Sequence, residues 1–156
     1  MSRRFWGASA TPRGPALAFA AKPADRTKTL GGVRAAVVAE SIHVTGGLSA
    51  GSLGWSLTGE VARHRWTVTL YVTACQQSRR KGPAGIQDFD YDARVSGLTA
   101  GRYRLRVVHL YVDHLGEPLG EAVTVLEQPL TVGRMAMNSV LPALCWLGLW
   151  STALSG

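Results

Sequence analysis

Cysteine is scarce in this 156-residue chain, which has only Cys75 and Cys145. One ends a predicted strand and the other sits in an apolar stretch, so they form neither a disulfide framework nor a zinc site. Helix-period patterning is missing between residues 37 and 132, which argues against a doubly wound α/β enzyme. Walker-type and dinucleotide-binding glycine loops are absent too. Gly47-Leu48-Ser49-Ala50-Gly51 has the letters of a nucleophile elbow. It falls, however, in a predicted turn between two strands and lacks the strand-to-helix context that exposes a catalytic serine. His109, Asp113 and His114 match no metal-ligand spacing, and His109 reads as a core or rim histidine. No acid, base and nucleophile converge, so the chain reads as non-enzymatic, with no cofactor and no metal.

Acidic residues are also missing where bases concentrate. Residues 1–34 carry Arg3, Arg4, Arg13, Lys22, Arg26, Lys28 and Arg34 against Asp25 alone, a net charge of +6. The rest of the chain holds ten bases and nine acids. The sequence pI of about 10.1 therefore belongs to an N-terminal arm, not to the body. Such an arm suits anionic lipid head groups, RNA or an acidic protein face, or is simply a solvated tail. Pro12, Pro15 and Pro23 interrupt it, and residues 1–36 read as an extended, irregular basic arm. Ser2-Arg3-Arg4-Phe5 and the apolar run from Pro15 to Ala21 faintly suggest an export signal. The run is short for one, and an uncleaved arm is expected.

Charge of either sign is missing from all 22 positions of 135–156, directly after Arg134. A helix of that length reaches about 30 Å, the thickness of a hydrocarbon core. Trp146, Leu147 and Trp150 are its expected contact residues, the two tryptophans one helical turn apart. Pro142 and Gly148 weaken it as a spanning segment. A membrane anchor, an interfacial segment and a helix packed on another subunit all remain open, as does a buried helix closing the fold. Membrane association is favoured, with the cytoplasmic side preferred through Arg134 and the basic arm.

What the chain has in quantity is alternation. Phe89, Tyr91, Ala93 and Val95 alternate with Asp88, Asp90, Asp92 and Arg94; Tyr103, Leu105 and Val107 alternate with Arg102, Arg104 and Arg106. Gly97-Leu98-Thr99-Ala100-Gly101 separates the two runs. The pattern predicts a β-hairpin pairing Val95 with Tyr103, Ala93 with Leu105 and Asp92 with Arg106, its charged face a solvated ion-pair lattice. Trp66, Val68, Leu70, Val72 and Ala74 predict a central strand with Trp66 buried. A strand ending at Gly46-Gly47, another around Leu53 to Val61 with Gly59 as a bulge, and one or two across residues 121–132 complete the set. Pro129 marks an edge or bulge. Residues 37–133 are thus expected to form a six- to seven-stranded antiparallel β-sandwich, followed by the apolar segment 134–156.

Leu98, Gly101 and Tyr103 complete a corner that resembles the L-x-x-G-x-Y motif of bacterial immunoglobulin-like and fibronectin type III sandwich modules. The resemblance implies that Tyr103 buries its ring and bonds its hydroxyl back to the chain. It also implies that Trp55 or Trp66 is the core tryptophan. These families mostly bind, space or scaffold. The expectation is an accessory or scaffolding subunit that binds other protein subunits of a larger, membrane-bound assembly, with membrane lipid as a second partner. The alternative is a secreted or periplasmic module recognising protein or glycan. Nucleic acid is not expected, because a buried Trp66 leaves Arg63, Arg65, Arg79, Arg80 and Lys81 without an aromatic platform.

Overall fold

The computed structural model describes residues 14–25, 31–79 and 84–133. Among them lie eight strands: β1 (Ala16–Pro23), β2 (Arg34–Val38), β3 (Ser41–Ser52), β4 (Trp55–His64), β5 (Thr67–Gln76), β6 (Ala84–Ser96), β7 (Gly101–Val112) and β8 (Val123–Val132). They form two four-stranded sheets, ordered β1-β6-β3-β2 and β4-β5-β7-β8. No helix occurs among the described residues. The apolar segment, with Trp146, Leu147 and Trp150, lies outside them, as do Arg3, Arg4, Arg13, Arg26 and Lys28.

The alternating residues supply the shared interior. Ile42 and Val44 on β3, Ala93 and Val95 on β6, Val68, Leu70, Val72 and Ala74 on β5, and Leu105 and Val107 on β7 are all fully buried. Burying each large aliphatic side chain contributes about 1.5–3 kcal/mol, so this double layer is the main source of stability. Thr67, Thr69, Tyr71 and Thr73 face outward from β5, as the period of two demands.

The pairing corrects the expected hairpin. β6 bonds to β1 and β3, whereas β7 bonds to β5 and β8. Val95 pairs with Leu17 and Ile42, Tyr103 with Leu130. The glycine-bounded turn therefore crosses from one sheet to the other. Alternation places side chains inside or outside and is blind to which strand lies alongside, so a hairpin and a crossover satisfy it equally. The ion-pair lattice falls with the hairpin. Asp88, Asp90 and Asp92 sit on the first sheet, while Arg104 and Arg106 both reach Glu127 of β8 at 3.4 Å.

The strand count and directions change as well. β5 and β7 run parallel, because β6 reverses the chain once in the other sheet before β7 returns. The sandwich is thus not wholly antiparallel. Part of the supposed irregular arm is β1, whose Leu17 and Phe19 pack against the core. Lys22 lies on that strand and Arg34 opens β2. Gly46-Gly47 does not end a strand, since β3 runs on to Ser52. Gly59 is no bulge, because the β4–β5 register is unbroken there. Phe19 lies directly over Gly59, and a β-carbon there would land in its ring. β8 is an edge strand, where Pro129 costs no ladder bond.

Candidate functional site

Between the sheets, one polar pair spans the apolar layer. The Tyr91 hydroxyl and His109 Nε2 share a hydrogen bond of 3.0 Å, and the rings meet edge to face. The Phe19 ring stacks on Tyr91 from the other side. Near the end of β3, the Tyr111 hydroxyl donates to the Ser49 carbonyl at 2.7 Å, a second tie between the sheets. Burial holds the Tyr91 phenol well above its ordinary range, so it stays protonated. Burial likewise pushes the His109 imidazole below its usual value, so it stays neutral. These groups serve packing: each is satisfied by the other, and Tyr91 also contributes to the wall of a groove on the first sheet.

A pH prediction follows from His109. Its folded pKa is lowered, so the unfolded chain takes up a proton first as pH falls. The associated stability is full above about pH 6.5 and is lost as pH drops from there through the lowered folded value. Thermal unfolding of wild type and His109→Gln between pH 8 and pH 5 checks this. The variant should show a flatter profile, and parallel profiles would rule His109 out as the source.

The serine of the elbow-like motif lies within β3, not in a turn. Ser49 donates to the Asp88 carboxylate on the adjacent strand. The pair reads as a cross-strand tie on an outer face. No group of three His, Cys, Asp or Glu side chains among the described residues could hold a metal ion. On that same sheet, a groove of about 600 Å³ is lined in part by Lys22, Arg34, Asp90 and Asp92. Two bases of the expected arm thus share a site with two acids, and the local charge balances.

The two ends of the sandwich differ more than its faces do. At one end the corner brings Leu98, Gly101 and Tyr103 together. Leu98 and Tyr103 are buried, and the Tyr103 hydroxyl donates to the Thr99 carbonyl at 2.8 Å. Gly101 leaves room for the Trp66 ring, since a β-carbon there would lie 2.7 Å from it. Trp66 itself corrects the sequence reading. It is 55% exposed, sits in the turn joining β4 to β5, and lays its ring on Tyr103 at 5.4 Å. The Arg63 guanidinium covers Tyr103 at 5.6 Å. Trp55 is the half-buried tryptophan packed against the core.

At the other end, residues 113–122 join β7 to β8 in a tightly knit loop. Asp113 Oδ1 accepts from the Leu115 and Glu117 amides at 2.8 and 2.9 Å. The Asp113 amide donates to the Glu117 carbonyl, and the Leu119 amide to the Tyr111 carbonyl. The Glu117 amide bond is the main reason that the Asp113 carboxyl stays below the usual carboxylate range. This scaffold holds Leu115 at 75% exposure and Leu119 at 54%.

No family model, curated protein or solved structure matches this chain. What the ends can do rests on their own chemistry. Sequence reasoning missed both: Leu115 and Leu119 were submerged among turn residues, and Trp66 was assigned inward by parity.

Loosening the loop is testable. Asp113→Ala should raise amide exchange at Leu115 and Glu117 several-fold while core amides of β5 and β7 stay protected. Wild type should loosen likewise only in acid. The contribution of the lowered Asp113 pKa is present above about pH 3.9 and is lost as pH falls through its folded value.

Proposed function

We propose that the protein is a non-enzymatic accessory subunit that docks on a partner protein within a larger, membrane-bound assembly. The observation that carries this reading is the pair Leu115 and Leu119. They are held outward on a loop stiffened by Asp113. Val123 and Val125 extend the apolar surface along the start of β8, at 54% and 37% exposure. Apolar side chains kept in water on one hydrogen-bonded loop and the strand that follows it are suited to an interaction surface. The Ig-like and fibronectin-like corner at Tyr103 is in keeping with a binding or spacing role.

The membrane part rests on the uncharged sequence 135–156. No helix among the described residues is long and apolar enough to cross a membrane. The alternative is a secreted or periplasmic module with a new N-terminus near Lys22. Cleavage there would remove Leu17 and Phe19 from the interior, which weighs toward the intact chain.

The test is in-cell cross-linking of the full chain, with wild type compared against Leu115→Asp/Leu119→Asp. The variant should lose its specific adducts at least tenfold while unfolding at an unchanged temperature. Undiminished adducts from a folded variant would sink the proposal.

A further inference from the structure

We propose that the corner end of the sandwich, with Trp66 at its tip, rests on an anionic lipid surface, and that the 113–122 loop points away from it. This rests on the membrane reading above and adds an orientation to it.

The first observation is the turn. His64 pairs with Thr67, so Arg65 and Trp66 are the two central residues. Arg65 is held at φ 53. Asparagine or glycine would adopt that conformation at less cost, and a two-residue hairpin turn favours them. The chain instead spends these positions on a guanidinium and a large, half-exposed indole. Local preference is overridden where another requirement acts.

The second observation is what surrounds Trp66. Arg63 shares the Tyr103 ring with it, and Arg102 follows Gly101 at the start of β7. Among the described residues, Glu40, in the turn between β2 and β3, is the acid at this end. An indole seated among arginines suits the headgroup layer, where its ring is amphipathic and lipid phosphates attract the bases.

The third observation is where the chain leaves. β1 begins and β8 finishes at this end: Ala16 pairs with Ser96, and Gly101 with Val132. Arg13 and Arg134 therefore follow from it in sequence, and the 22 uncharged residues 135–156 continue from Arg134. A lipid-seeking segment attached here brings this end to the bilayer first. Among the described residues, the far end mixes Asp25, Asp88, Asp113, Glu117 and Glu121 with Lys22 and Arg79. Those residues carry no excess of bases. The two ends stand roughly 35 Å apart along β7, more than a headgroup layer is deep.

The experiment uses the full chain with Cys75→Ser and Cys145→Ser, labelled with an environment-sensitive fluorophore at Ala100→Cys or His114→Cys. Both positions are exposed. Each protein is added to phosphatidylcholine vesicles with or without phosphatidylserine, carrying a quencher at the headgroup. On anionic vesicles the label at 100 should be quenched at least threefold more than the label at 114. Arg65→Gln/Arg102→Gln and Trp66→Ala should each at least halve that difference. Equal quenching, or stronger quenching at 114, overturns the orientation while leaving membrane association standing. Failure of the wild type to float with any vesicle removes membrane association itself. Sub-micromolar binding of a labelled oligonucleotide, lost in Trp66→Ala, with no lipid-dependent quenching, would assign this surface to nucleic acid instead.

Discussion

Tyr103→Ala is expected to cost about 3–5 kcal/mol of stability, whereas Tyr103→Phe should cost about 1–2 kcal/mol. Tyr103 is 2% exposed, so alanine removes a whole ring from a close-packed region. Phenylalanine keeps the ring and loses both the 2.8 Å hydrogen bond to the Thr99 carbonyl and the 3.0 Å contact with Thr99 Oγ1. That carbonyl belongs to the crossover, where no neighbouring strand offers a substitute donor. Trp66 and Arg63 both lean on the same ring, so alanine also removes their support. Domains of this kind have about 5–15 kcal/mol to lose, and a melting temperature about 10 °C lower is expected for alanine. Urea unfolding of the full chain, followed at far-UV wavelengths, separates the two variants. An alanine variant within about 1 kcal/mol of wild type would show that the corner is incidental to the fold.

That residue also marks where the sequence was readable and where it was not. The period-two runs at Phe89–Val95 and Tyr103–Val107 gave the buried faces of β6 and β7 correctly, because inside and outside are local properties of each strand. The hairpin between them failed because strand partnership is non-local. Val95 has Leu17 beside it, and that neighbour lies 78 positions upstream, by the difference of their numbers. The corner motif and the hairpin were in fact incompatible readings of one stretch. A tyrosine that bonds back across a crossover places its flanking strands in different sheets. β1 escaped notice because its outward residues before Lys22 are alanine, so Leu17 and Phe19 stand in an apolar run with no visible period. Trp66 shows the converse error. It continues the parity of Val68 and Leu70, but the layer has ended by then and parity points into solvent. Among surface residues, Leu115 was hidden for a different reason: turn chemistry at Asp113 and Gly116 announces a loop and says nothing of which side chain the loop displays.

The same non-locality governs the charged surfaces. Three aspartates and three arginines at alternate positions look complementary in the sequence. Their strands lie in different sheets with outward faces turned away from each other, and each set answers to its own neighbours. Arg104 and Arg106 share Glu127, and all three are exposed, so such pairs contribute little to stability. What holds the sandwich is the interior, including the polar tie between Tyr91 and His109.

Gly46→Val is the substitution that should strike this tie hardest. Gly46 lies opposite Tyr91 in the β3–β6 register. A β-carbon there would stand 2.7 Å from the Tyr91 hydroxyl oxygen, 2.8 Å from the ring carbon bearing it, and 2.9 Å from a Val33 methyl. None of these can yield easily: the phenol is fixed by His109 and stacked on Phe19, and Val33 packs against the core. Overpacking of this kind costs about 1–3 kcal/mol, and expelling Tyr91 strands a buried imidazole at about 1–3 kcal/mol more. The total expected for valine is about 3–5 kcal/mol. Alanine places the β-carbon but no methyls beyond it, and about 2 kcal/mol is expected. If the steric conflict lies with the phenol oxygen, removing that atom relieves it. Gly46→Ala combined with Tyr91→Phe should therefore be less destabilised than the two single changes added together, by about 1 kcal/mol in a double-mutant cycle. Strict additivity would mean that the space over Gly46 is set by Val33 and the backbone, and that the Tyr91–His109 bond does not fix the width of the sandwich there.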